Sequence, residues 1–209
     1  MAEVSGELLG KLVAGCKQCE IIEVYKSHTA QNDKNLGAEK LSAIFDEMQN
    51  QTKLKSFELI AGLNERHIGD PSKKIDLSSI PSMFLATAFS KIEELFLENL
   101  DLNSFQLDAI FESGFVNLSS LGFRGIKLNA TQTRKLLESL DKSSRLISLN
   151  LRQVDMREIA SWFLARFLNK MISINIEDIQ IESQQFEDIF LAILRGESVT
   201  KHFRMFAPM

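Results

Sequence analysis

The chain has 209 residues, 44% hydrophobic and 25% charged, enough apolar material for one ordinary core and no compositionally disordered tract. Its formal net charge of -4 gives no broad cationic field, which argues against nucleic-acid binding and against adhesion to anionic membranes. The start shows no basic region followed by a long apolar run, and no stretch of about 18 apolar residues occurs anywhere, so neither a secretory signal nor a membrane span is expected and a cytoplasmic location is.

The first predicted element is a helix over residues 3–16. Cys16 and Cys19 follow the C-x-x-C spacing of half a structural zinc site. They are the only cysteines, so a four-ligand set lacks its second pair, and no thioredoxin-like unit surrounds them; no metal or cofactor is expected. Cys19, Ile22 and Val24 then mark the inner side of a first strand. A polar loop, SHTAQNDKN, leads to a helix with the apolar stripe Leu41, Ile44, Phe45 and Met48. Leu54, Phe57 and Leu59 repeat the strand spacing, and Ile75 and Leu77 resume it after a polar insertion over residues 61–73.

Four regular blocks come next: IEELFLENLDL from Ile92, LSSLGFRGIKL from Leu118, LISLNLRQVDM from Leu146 and MISINIEDIQI from Met171. All carry apolar residues at positions 1, 4, 6, 9 and 11, and their starts lie 26, 28 and 25 residues apart. The opening alternation, as in Leu95-Phe96-Leu97, predicts a short strand with one buried face. A helix follows in each block, with stripes such as Leu136, Leu137 and Leu140, or Leu164, Ala165 and Leu168, or Phe186, Ile189, Phe190 and Ile193. Asn103-Ser104, Asn129 and Ser183 stand where helix N-caps are useful. Trp162 has two readings: it is expected to pack between neighbouring helices, and the alternative is an exposed anchor for a second partner. Thr200, Phe203 and Met205 predict a last strand. The stop at Met209 leaves the apolar end of the stack uncapped, an expectation either of a fragment of a longer protein or of a partner over that end.

This spacing resembles the leucine-rich repeat, in particular the ribonuclease-inhibitor-like class, whose units begin L-x-x-L-x-L-x-x-N/C-x-L. The resemblance covers roughly residues 19–205. It implies an α/β fold: a right-handed βα solenoid with a parallel concave sheet and convex helices, about six repeats after the N-terminal helix, forming a single domain over residues 1–209. One departure is consistent. Position 9, Asn or Cys in the class, is Leu100, Ile126, Val154 and Ile179 here. An apolar side chain cannot accept the turn hydrogen bonds, so backbone or water must satisfy them and less regular turns are expected.

Most members of that class are intracellular protein binders, and the resemblance implies the same here: a scaffold holding a protein partner, not an enzyme. No Gly-rich phosphate loop, nucleophile elbow or H-E-x-x-H motif is present. The alternative is a regulator of an enzyme, such as a GTPase-activating module, or the structural or sensor end of a larger receptor or cytoskeletal protein. Strand alternation puts positions 3, 5 and 7 on the face away from the core, which nominates Glu94, Phe96, Glu98, Arg124, Asn150, Arg152, Asn175 and Glu177 as partner-binding candidates. Glu98, Arg124, Arg152 and Glu177 share position 7, and two readings stand: they pair with one another, or the arginines meet an acidic partner segment beside Phe96 as apolar anchor. The two enlarged loops add His28, Arg66, His67 and Asp70 as further candidates.

Overall fold

The computed structural model describes residues 15, 19–26, 38–61, 74–192, 194–195 and 199–206. In chain order these form β1 (Ile21–Lys26), α1 (Ala38–Asn50), β2 (Ser56–Ala61), β3 (Ile75–Asp76), α2 (Ser82–Phe89), β4 (Glu94–Glu98) and β5 (Leu100–Asp101). They continue as α3 (Ser104–Ser113), β6 (Ser120–Arg124), α4 (Ala130–Asp141), β7 (Ser148–Arg152), α5 (Ser161–Asn169), β8 (Ser173–Glu177), α6 (Ser183–Ala192) and β9 (His202–Phe206). Seven strands make one parallel sheet in chain order, β1-β2-β4-β6-β7-β8-β9, and β3 pairs separately with β5. Among the described residues six helices connect them. No helix among the described residues is long and apolar enough to cross a membrane.

The eleven-residue template maps onto this sheet in register. Leu95 pairs with Leu121 and Leu149 with Ile174, fourth position against fourth, and Leu97 pairs with Phe123 and Leu151 with Ile176, sixth against sixth. The alignment survives both enlarged loops. Ile22 faces Phe57 and Val24 faces Leu59, while Ile75 faces Leu100 across the insertion. Of the template residues in the four regular blocks, all are buried except the half-buried Leu102 and Ile181. One continuous cluster of buried side chains runs from Leu41 to Ile189. It includes a ring cluster in which Phe45 meets Phe57 and Phe89 edge-on at centroid distances of 5.8 and 5.6 Å.

The apolar ninth position is compensated one residue earlier. The eighth residue of each regular block adopts a left-handed backbone: Asn99 at φ 55°, Gly125 at 68°, Gln153 at 68° and Asp178 at 53°. Asn, Asp and Gly tolerate that region best. The corner lets the main chain bond to the next corner: the Asn99 N–H donates to the Arg124 carbonyl at 2.9 Å and the Gln153 N–H to the Glu177 carbonyl at 3.1 Å. The buried Asn99 side chain also donates to the Ala61 carbonyl at 2.9 Å. The turns are therefore regular, contrary to the expectation from the missing Asn or Cys, because backbone geometry does what that side chain does elsewhere.

Helix entry takes two forms. Asn103 and Asn129 close capping boxes with Gln106 and Gln132 at the starts of α3 and α4. At α6 the expected cap Ser183 is the first helical residue, and Gln185 accepts from the Glu182 N–H instead. Helices α2 and α5 start after Pro81 and Ala160 with no side-chain cap. Their preceding turns are held by the following unit. The buried Gln106 amide donates to the Leu77 and Ile80 carbonyls, both at 2.7 Å, and the Gln185 amide donates to the Met156 and Ile159 carbonyls. A glutamine that caps its own helix thus ties it to the unit before.

Two expectations for the helices are corrected. Trp162 does not pack between helices: it is 67% exposed, with its ring edge-on to Phe163 and the Arg166 guanidinium 5.8 Å from its centroid. In α6 the predicted stripe is only partly buried. Ile189 is enclosed, whereas Phe186 and Phe190 stack on one another in solvent; Ile193 lies outside the described residues.

Candidate functional site

Helices joined to sequentially paired parallel strands by crossovers of one hand all fall on one face of the sheet. The burial pattern agrees: positions 4 and 6 are enclosed in the inner strands, and positions 3, 5 and 7 are mostly half-buried or exposed. The face away from the helices is therefore an open platform. All eight candidates from the inner strands lie on it, at those odd positions. His28, Arg66, His67 and Asp70 lie outside the described residues, as does Cys16.

The charged residues at position 7 pair with one another. Glu98 Oε2 lies 3.3 Å from Arg124 Nη1, with only 6% and 15% of the two side chains exposed. Arg152 donates from Nε to Asp178 Oδ2 at 2.7 Å and has Nη1 3.9 Å from Glu177 Oε2. Asp178 was not singled out in the sequence, although its left-handed corner position carries its carboxylate back to the arginine. In the fifth row Asn175 donates to Asn150 Oδ1 at 3.3 Å and to Glu177 Oε1 at 3.2 Å. In this half of the platform the charges are paired with one another, while Arg124 Nε and Asn175 Oδ1 are buried without a hydrogen-bond partner among the described residues.

Phe96 behaves differently. It pairs across the strands with Gly122, and its ring covers that glycine so closely that an added Cβ would come within 2.0 Å of Cδ2. Ring and glycine form one surface. Beside it stand Glu94, exposed, two residues earlier on the same strand, and Glu58, half-buried, opposite it on β2.

Tyr25 and Glu23 complete this end of the platform. They occupy positions 7 and 5 of the unit that begins at Cys19, and continuing the template count to β1 finds them. The Tyr25 hydroxyl donates to Glu58 Oε2 at 3.0 Å and lies 3.3 Å from Glu23 Oε2. Its pKa is pushed up to about 12 by partial removal from water, then by the hydrogen bond and negative charge of Glu58 and those of Glu23. The platform is thus polarised: Glu23, Glu58 and Glu94 gather around Tyr25 and Phe96 at the β1 end, paired charges fill the middle, and His202 and Arg204 stand exposed on β9. Among the described residues no group of three His, Cys, Asp or Glu is placed to hold a metal.

No family model matches the chain, and no curated protein matches it in sequence. Among solved structures it is similar to the tropomodulin C-terminal domain of Caenorhabditis elegans, with a TM-score of 0.40 and 10% identity over 92% of this chain and 93% of that one. A likeness at that level assigns neither a family nor an activity to this chain.

Proposed function

We propose that this chain is a leucine-rich-repeat solenoid of the ribonuclease-inhibitor-like kind, working in the cytoplasm as a binding scaffold rather than an enzyme. Its partner is a protein segment with basic and apolar side chains, seated on the open sheet face at the β1 end. The carrying observation is the contrast between the two halves of that face. The position-7 arginines are engaged by Glu98, Glu177 and Asp178, which weakens the reading in which they seek an acidic partner. Phe96, Tyr25 and the half-buried Ile60 instead present apolar surface beside Glu23, Glu58 and Glu94. Aromatic side chains ringed by charges of one sign suit an anchor residue flanked by lysine or arginine.

The test is capture of partners on the immobilised chain, followed by affinity measurements with Phe96→Ala and with Glu58→Lys combined with Glu94→Lys. Partner affinity is expected to fall at least about tenfold for each, the loss of one centrally placed contact, with thermal unfolding within a few degrees of the parent. It is also expected to weaken as salt rises. Affinity unchanged in both variants would remove this end of the platform from consideration.

A further inference from the structure

The two outermost strands of the sheet, β1 and β9, differ from the inner ones in a specific way. At positions 4 and 6 the inner strands bury their side chains almost completely: Phe57 and Leu59 are both 0% exposed, as are Leu97 and Leu151. The same positions hold Ile22 and Val24 in β1 and Phe203 and Met205 in β9, all only partly buried against the core. On the open face Ile21, Tyr25 and Phe206 are 60%, 44% and 53% exposed. Each terminal strand is an apolar edge with no strand beyond it among the described residues, the arrangement that invites pairing with another strand.

We infer that the occupant is a second copy of this chain, with β9 of one molecule pairing in parallel with β1 of the next and continuing the register of the sheet. The register set by β8 and β9, in which Ile174 faces Phe203 and Asn175 faces Arg204, carries over residue by residue. It puts Phe203 opposite Ile22 and Met205 opposite Val24 on the core side. On the open side it puts Arg204 opposite Glu23 and Phe206 opposite Tyr25. The four contacts are apolar with apolar, cation with anion and ring with ring, the pairings that stabilise neighbouring strands. Charge also selects this arrangement over the two-fold alternatives. An antiparallel β9 pair centred on Arg204 sets arginine against arginine, and a β1 pair centred on Glu23 sets glutamate against glutamate; like charges directly opposite are destabilising. A head-to-tail contact of this kind leaves a free edge at each end of a dimer, so it builds larger species, rings if the rotation closes and open filaments if it does not.

This inference shares Glu23 and Tyr25 with the proposed partner platform but does not use Glu58, Glu94 or Phe96, and its readout, self-association of the isolated chain, is separate from partner affinity. The experiment is sedimentation velocity of the 209-residue chain over a wide concentration series, for the parent, Arg204→Glu, Glu23→Arg and the double charge swap. The parent is expected to form dimers and then larger species. Each single reversal should weaken association about tenfold, since an opposite-charge cross-strand pair becomes a like-charge one, and the double swap should restore it. Circular dichroism confirms that the variants fold, and Arg204→Gln with Glu23→Gln provides a milder pair if either reversal does not. A parent that stays monomeric throughout, association indifferent to either reversal, or a double swap that fails to recover, would each overturn the inference.

Discussion

The ring of Phe96 covers Gly122 on the neighbouring strand, so that a Cβ at residue 122 would sit 2.0 Å from Cδ2 and 2.4 Å from Cε2. Glycine leaves a strand weak, with no side chain to pack, and an aromatic residue on the adjacent strand restores the missing cover. The pair explains both oddities of the open face: a large aromatic at an outward position and a buried glycine in the middle of a strand.

Gly122→Ala is therefore expected to destabilise the protein by about 1–3 kcal/mol, the usual cost of overpacking. Phe96→Ala removes the obstruction, so in that background the same alanine should be neutral or favourable. Chemical denaturation of the two single variants and the double variant measures the coupling. Additive effects would show that the ring moves aside freely.

Glu98 and Arg124 form the most enclosed ion pair on the platform. Removing one partner strands the other charge away from water, so Glu98→Ala should cost about 3 kcal/mol. Lys55 with Glu20, more than half exposed on both sides, should cost under about 1 kcal/mol on the equivalent change. Comparable losses from the two substitutions would contradict the burial difference.

Gln106 and Gln132 close the same capping box, but only Gln106 also donates to the carbonyls of the preceding turn. Gln132→Ala is expected to cost about 1 kcal/mol, the value of a cap. Gln106→Ala should cost about 1–3 kcal/mol more, because the Ile80 carbonyl loses its donor and the Leu77 carbonyl keeps only the Ile80 N–H. The difference between their unfolding midpoints, converted with the parent slope, reports the inter-unit bond.

Tyr25 is the only tyrosine, so an ultraviolet absorbance titration reads it alone. Its midpoint is expected at about 12 instead of the ordinary 10.0. Glu58→Gln, which takes away the charge beside the hydroxyl, should move it down. The favoured species is the protonated phenol, so its contribution to stability is complete below pH 10 and is lost as pH rises through the folded value. A midpoint at the ordinary value would place the hydroxyl free of both carboxylates.

Strand and helix positions were legible in the sequence because they follow from periodicity. A residue two places along a strand returns to the same face whatever surrounds it, so Leu95, Leu97, Phe123 and Leu151 could be placed inside and Phe96, Arg124 and Asn150 outside from spacing alone. The count even survived the residues 61–73 insertion, since Ile75 meets Leu100. Trp162 and Phe186 escaped that logic. A helix stripe is wide, and whether its margin is covered depends on how closely the next helix approaches, which spacing does not encode.

What the sequence determined by itself was the repeating unit, the sheet's inner and outer faces, and the roster of outward side chains. Only the tertiary structure decided which of those side chains satisfy each other. Arg124 closes on Glu98, Arg152 turns to Asp178 and Glu177, and Phe96 settles on Gly122. These contacts join residues 25 or more positions apart, and they exist because parallel strands in a continuous register bring equivalent positions within a few ångströms. Periodicity names the row in which a side chain stands; the stacking of the rows determines whether its charge is already neutralised or left for a partner.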